Sequence, residues 1–125
     1  MRSYRRDSYE RLAHIREAIS MIESFIYEIH KDTFLKDQLI VSAVLFQFSV
    51  ICEAVIHIEA DLLGKYDYPW HRVRAFRNLI SHTYFQIKLE AVWDIIDNDL
   101  PEFKQLIEAI LKNEFNSEGG VKKAV

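Results

Sequence analysis

The chain has 125 residues, of which 50% are hydrophobic, and it carries a formal net charge of −3 at pH 7. This length fits one domain with one core, and the slight acidity argues against a generic nucleic-acid coat protein, which is usually basic. The single cysteine, Cys52, excludes an internal disulfide and a thiolate metal cluster. No apolar signal segment follows the basic N-terminus, so we expect a reduced, cytoplasmic protein without a membrane span.

The first predicted element is an amphipathic helix over about residues 8–30. Asp7 and Glu10 have the spacing of a capping box at its start. Behind them, apolar residues recur every three or four positions, as they do on one buried helix face: Leu12, Ile15, Ile19, Ile22, Ile26 and Ile29.

The second predicted helix covers about residues 37–63 and is apolar on nearly all sides. Its length far exceeds that of a usual strand. Polar and charged residues interrupt the apolar run, so a membrane span is a poor fit. We therefore expect this helix to lie centrally in the fold or in an oligomer interface.

The polar residues of this helix share one narrow line along its surface: Gln38, Ser42, Ser49, Glu53, His57 and Asp61. Such a stripe either faces water, is satisfied inside the bundle, or lines a cleft. Glu53, His57 and Asp61 also raise the question of a metal. Di-metal helical bundles use a Glu-x-x-His spacing on two helices, and this chain offers only one such helix, so no metal ligand is expected.

Turn residues separate the remaining predicted helices. Gly64 ends the second helix, and a loop through Pro69 leads to a third helix that starts near Trp70. This helix should fray around residues 81–84.

A fourth helix is predicted over about residues 87–98, and Asp99 should cap a fifth helix with Pro101 in its first turn. Residues 116–125 read as a flexible tail. Residues 1–115 are therefore predicted to form one all-α domain, an antiparallel four- to five-helix up-and-down bundle.

The segment from Arg77 to Tyr84 carries the clearest chemical signal. Arginine binds phosphate with a fixed fork of N–H donors, and histidine moves protons near pH 7. Residues five apart on a helix are separated by about 140°, so Arg77 and His82 converge only if His82 lies at a helix end. Asn78 is four residues before His82 and could orient its imidazole.

Cleavage of RNA by Arg77 and His82 needs two proton transfers, and one chain supplies only one such histidine. The 2′-hydroxyl must lose a proton and the 5′-oxygen must gain one, while charge grows on the phosphoryl oxygens. One His82 cannot fill both proton roles in the same step. A homodimer would supply Arg77 and His82 twice, and the apolar second helix offers an interface. A metal would not be required.

The pattern Arg77-Asn78-x-x-x-His82-x-Tyr84 resembles the signature of HEPN-domain proteins, specifically the HepT-type toxins of prokaryotic toxin–antitoxin pairs. The segments 51–54, 69–70, 92–96 and 100–101 resemble that family as well. The chain departs from the family at Cys52, where the family has glycine, and this departure puts the shape of the cleft in doubt.

The resemblance implies a HEPN-like bundle that acts as a homodimeric, metal-independent endoribonuclease without a cofactor, with Arg77 and His82 as catalytic residues. It implies that Glu53 is the family's acidic residue on the second helix. It also implies a minimal nucleotidyltransferase antitoxin that neutralises the toxin by transferring AMP onto Tyr84. Two alternatives remain: a non-catalytic HEPN subunit that binds substrate for a nucleotidyltransferase, and a purely structural helical dimer.

Overall fold

The computed structural model describes residues 2–82, 87–116 and 120, with the side chains of these residues except 2–5 and 82. The described residues form helices joined by short connections, which confirms the predicted all-α bundle. In chain order the helices are α1 (Arg2–Phe25), α2 (Lys31–Lys36), α3 (Gln38–Ile56), α4 (Ala60–Leu63), α5 (Trp70–His82), α6 (Leu89–Asp94), a π-helical turn (Ile95–Asp99) and α7 (Leu100–Glu114).

The core lies where α1 packs against α3 and α7, and α5 packs against α3 as well. The predicted stripe on α1 supplies fully buried side chains at Leu12, Ile15, Ile19 and Ile22. These side chains meet buried residues of α3 and α7, including Val44, Phe48, Ile51, Ile107 and Ile110. Burial of this apolar surface is the main stabilising contribution to the bundle.

The first helix begins and ends earlier than predicted, at Arg2 and Phe25. Asp7 and Glu10 therefore lie within the helix and do not form a capping box at its start. A separate short helix follows α1. Glu28 adopts a left-handed backbone conformation with φ of 57°, which cannot continue a right-handed helix. The chain turns there, and α2 then places Phe34 fully inside the core, with its ring 5.2 Å from that of Trp93.

The prediction of one helix over 37–63 is wrong, because α3 ends at Ile56 and α4 begins at Ala60. The backbone N–H of Glu59 donates to the buried Ser8 hydroxyl at 3.1 Å. This change of direction brings Ile58 and Leu62 into the core. A contact with a residue 51 positions away therefore ends the helix, where local sequence would let it continue.

The predicted break at Asp99 is also wrong. Asp99 has helical backbone angles and its side chain makes no capping hydrogen bond. A π-helical turn joins α6 directly to α7, and it absorbs one extra residue without interrupting the helical path. With this shift Ile96, Leu100 and Phe103 all remain buried.

Helix α3 is long and apolar enough to cross a membrane, judged by length and composition alone. However, 44% of that stretch is buried inside the bundle. The core helix of a folded domain has the same length and composition, and the burial of Val44, Phe48 and Ile51 favours that interpretation.

Candidate active site

Helix α5 is anchored at its start by an aromatic cluster. The indole Nε1 of Trp70 donates to the carbonyl of Leu63 at 3.1 Å. The Trp70 ring lies 4.8 Å from that of Tyr68 and 6.3 Å from that of Phe103. This cluster fixes where α5 begins, so the positions of residues further along α5 follow from helical geometry.

A second aromatic contact sets the register between α5 and α3. The Phe76 ring meets the Phe48 ring edge-on at 5.2 Å. Arg77 follows Phe76 in the chain and lies opposite Glu53, which is on the outer side of α3. The packing of the partly buried Phe76 ring against the buried Phe48 ring therefore helps to place Arg77 opposite Glu53.

Arg77 and Glu53 form an ion pair at the surface of the bundle. Both Nε and Nη2 of Arg77 lie 3.3 Å from the same carboxylate oxygen, Oε2 of Glu53. The side chains are 38% and 51% exposed, so solvent reaches both. Within the described residues Nη1 of Arg77 has no such contact, which leaves donors of the guanidinium for a phosphate oxygen.

The other oxygen of the same carboxylate contacts a histidine. Glu53 Oε1 lies 3.3 Å from Nε2 of His57, the residue that caps the C-terminus of α3. Glu53 thus joins a guanidinium and an imidazole at one surface position. The sequence placed His57 on the polar stripe without a role, although its spacing of four residues from Glu53 is the signal of this contact.

Cys52 lies beneath the ion pair, buried among apolar side chains that include Phe48 and Phe76. Burial raises the pKa of the Cys52 thiol to about 12, although the Arg77 guanidinium lowers it in part and the Glu53 carboxylate raises it further. The thiol is therefore neutral at pH 7. The residue that departs from the family glycine adds volume below the site and no charge.

The remaining predicted site residues lie at or beyond the end of α5. Asn78 is exposed on α5, beside Arg77. Helix α5 extends to His82, whose side chain is outside the description, and Tyr84 lies in the segment 83–86 that the structure does not describe. The convergence of Arg77 with His82 and Tyr84 therefore stays a prediction.

The polar stripe of α3 faces outward. Gln38, Ser42, Glu53 and His57 are exposed, and Asp61 lies on the separate helix α4. In the described part of the chain, no group of three histidine, cysteine or carboxylate residues is arranged to hold a metal ion. Glu53 is the member of the stripe that contacts α5, through Arg77.

Comparison with known proteins gives consistent matches. Residues 15–110 match the family model described as ribonuclease HepT-like. A Methanocaldococcus jannaschii protein named as a candidate RNase is 36% identical over 79% of this chain and 83% of its own length. A Thermococcus cleftensis protein named "probable ribonuclease HepT" is 30% identical over 86% of this chain and 99% of its own length.

A similar match comes from Caldanaerobacter subterraneus subsp. tengcongensis. That protein is also named as a candidate RNase and is 25% identical over 82% of this chain and 93% of its own length. No solved structure matches the chain.

Proposed function

The chain belongs to the HepT-like ribonuclease family, and from this premise we propose that it cleaves RNA with Arg77 and His82 and needs no metal ion. The observation that carries the proposal is the Arg77–Glu53 pair, which holds a guanidinium at the surface on the helix that ends at His82. The family match covers both residues, since it spans 15–110.

The proposed chemistry divides between these two side chains. Arg77 binds a non-bridging oxygen of the scissile phosphate and stabilises the negative charge that grows during attack by the 2′-hydroxyl. His82 transfers a proton at the 2′-oxygen or at the departing 5′-oxygen. Glu53 holds Arg77 in place and lowers the freedom of its long side chain, while Asn78 orients the His82 ring.

We further propose that the active unit is a homodimer, which would bring two copies of His82 to one phosphodiester. Support comes from the outer face of α3, whose N-terminal half presents Leu39 and Phe46 at 80% and 63% exposure. An exposed apolar face of this kind commonly marks a protein interface. It lies on the same helix face as Glu53, so a two-fold contact there would bring two sites together.

Regulation by a nucleotidyltransferase antitoxin in the cytoplasm completes the proposal. In this step the Tyr84 hydroxyl attacks the α-phosphate of ATP, pyrophosphate leaves, and AMP remains on the tyrosine. The added phosphate carries negative charge close to Arg77 in sequence and would compete with RNA for the guanidinium.

Cleavage of RNA by the purified chain in the presence of EDTA tests the catalytic proposal. We expect wild type to cut, His82→Ala to lose at least about a hundredfold in rate, and His71→Ala to retain the wild-type rate. His71 is an exposed histidine at the start of the same helix and is a matched control. RNA left intact by wild type would instead favour a non-catalytic subunit that binds substrate for a nucleotidyltransferase.

Intact-mass measurement after incubation with the partner nucleotidyltransferase and ATP tests the regulatory proposal. Wild type should gain one adenylyl group and Tyr84→Phe should gain none. Tyr27→Phe is the control, because Tyr27 is an exposed tyrosine in the turn that follows α1. Modification of Tyr84→Phe to the wild-type extent would contradict the assignment.

A further inference from the structure

A groove runs between α1 and α3 immediately beside the Arg77–Glu53 pair. It has a volume of about 300 Å³ and is lined by Arg11 and His14 from α1 and by Ser49, Val50, Glu53 and Ala54 from α3. Glu53 belongs both to this groove and to the contact with Arg77. The groove is therefore continuous with the proposed catalytic site.

The backbone of α1 is held in place by the core on either side of the groove residues Arg11 and His14. Leu12 follows Arg11 and Ile15 follows His14, and both are fully buried in the core. Because these neighbours anchor the helix, Arg11 and His14 are presented to the groove at fixed positions without the cost of ordering a loop.

Some basic residues of the bundle contact a carboxylate, and others, Arg11 among them, do not within the described residues. Lys65, Lys104 and Arg77 each contact a carboxylate within 3.3 Å. Arg11 is only partly exposed and has no salt bridge or hydrogen bond within the described residues. The Glu53 charge in the same groove is already matched by Arg77. The Arg11 guanidinium therefore has donors available for a phosphate oxygen that enters the groove.

Carboxylates limit how far an anionic chain can extend past Arg11. Arg11 and His14 also line a second hollow of about 500 Å³, and Asp7, Glu10 and Glu59 share that lining. These three carboxylates would repel phosphate. An anionic chain that enters from the Arg77 side therefore finds room and favourable charge for one further phosphate only.

We propose that this groove is a subsite for the nucleotide next to the scissile phosphate of RNA, with Arg11 as the ligand of its flanking phosphate. The inference rests on the proposed ribonuclease function and adds a residue that neither the motif nor the family match assigns. Val50 and Ala54 form an apolar floor and His14 offers an aromatic ring, so the base can pack there without sequence-specific hydrogen bonds.

Binding of RNA that cannot be cut tests the subsite separately from catalysis. The probe is a labelled 2′-O-methyl hexanucleotide, whose blocked 2′-oxygens prevent attack, followed by fluorescence anisotropy over a range of salt concentrations. Arg11→Gln should weaken binding about tenfold, and the slope of log K against log salt should fall by about 0.7, the value for one lost phosphate contact on a single strand. A merely structural role would leave the salt slope unchanged.

An unlabelled 2′-O-methyl dinucleoside monophosphate provides the second probe, as a competitor. It has one phosphate, which Arg77 would bind, so Arg11→Gln should leave its inhibition constant unchanged. Arg16→Gln is the matched control for both probes. Arg16 is on the same helix and contacts Glu108 of α7, away from the groove.

The outcomes separate the subsite from the proposed function. Hexanucleotide binding that depends on Arg11, without any RNA cleavage by wild type, would support the subsite and contradict the ribonuclease proposal. Equal hexanucleotide affinity of wild type and Arg11→Gln would overturn the subsite, whether or not the protein cuts RNA. Equal weakening of both probes by Arg11→Gln, or no hexanucleotide binding by wild type, would overturn it as well.

Discussion

Replacement of Glu53 by glutamine separates positioning of the site arginine from stability of the fold. The substitution keeps the size of the side chain and removes the charge that faces Arg77 and His57. Both contacts of Arg77 reach one carboxylate oxygen at 3.3 Å, and the two side chains are 38% and 51% exposed. Exposed pairs of this kind contribute about 0–1 kcal/mol, so the free energy of unfolding should fall by no more than about 1 kcal/mol.

Activity should respond more strongly than stability. If Glu53 holds Arg77 where the phosphoryl charge develops, its loss should lower kcat about 10- to 100-fold. KM should not rise, because the substitution removes a negative charge that opposes RNA binding. The combination of a lower kcat with an equal or lower KM is the signature of a positioning residue.

Steady-state RNA cleavage and denaturant unfolding of the same preparations provide the two readouts. Glu23→Gln is the matched control, since Glu23 contacts Lys104 at 3.1 Å with side chains 44% and 45% exposed, and it lies on α1 away from α5. This control should lose a similar small amount of stability and no activity. An unchanged kcat in Glu53→Gln, or a stability loss several times larger than in the control, would refute the reasoning.

Three further predictions concern the core, the interface and the anchor of α5. Burial raises the pKa of Cys52 from 9.0 to about 12, so the thiol ionises first in the unfolded state as pH rises above 9. Relative to Cys52→Ala, the free energy of unfolding of wild type should therefore fall by about 2 kcal/mol between neutral pH and about pH 10.5. Parallel pH profiles of the two proteins would contradict this. Wild type should sediment as a dimer and Phe46→Asp as a monomer, whereas Tyr27→Asp, at a position that is 73% exposed, should remain a dimer. A Phe46→Asp dimer as stable as that of wild type would exclude the outer face of α3 as the interface. Trp70→Phe removes the hydrogen bond to Leu63 and should cost about 1–2 kcal/mol in denaturant unfolding, and a neutral result would show that the bond does not anchor α5.

The sequence predicted the elements whose signals are local. The stripe from Leu12 to Ile22 is buried as expected, and α5 begins at Trp70, after Pro69. In both cases apolar periodicity or a residue that breaks a helix decides the outcome within a few positions.

Two of the predictions that failed concern packing between distant parts of the chain. The end of α3 follows from the Glu59–Ser8 hydrogen bond, and the π-helical turn keeps Leu100 and Phe103 in the core. The composition of these segments is compatible with uninterrupted α-helix, so local propensity could not reveal the breaks.

The candidate site also contains one residue that the sequence could predict and others that only helix packing brings near it. Arg77 was predicted from its residue type, because a guanidinium near a histidine is typical of phosphate chemistry, and from the resemblance of its motif to that of HEPN-domain proteins. The groove residues Arg11 and His14 carry no motif, and they line a groove with Glu53 only because α1 packs against α3. Such a site depends on helix packing and is invisible to spacing along the chain.

The chemical ends of the RNA products test the central claim most directly. Attack by the 2′-hydroxyl, with Arg77 stabilising the phosphoryl charge, predicts products with 2′,3′-cyclic phosphate and 5′-hydroxyl ends in the presence of EDTA. Mass spectrometry of a defined oligonucleotide after cleavage distinguishes these ends. Arg77→Ala should form both products much more slowly than wild type. Products with 5′-phosphate and 3′-hydroxyl ends, or full cleavage by Arg77→Ala, would contradict the account.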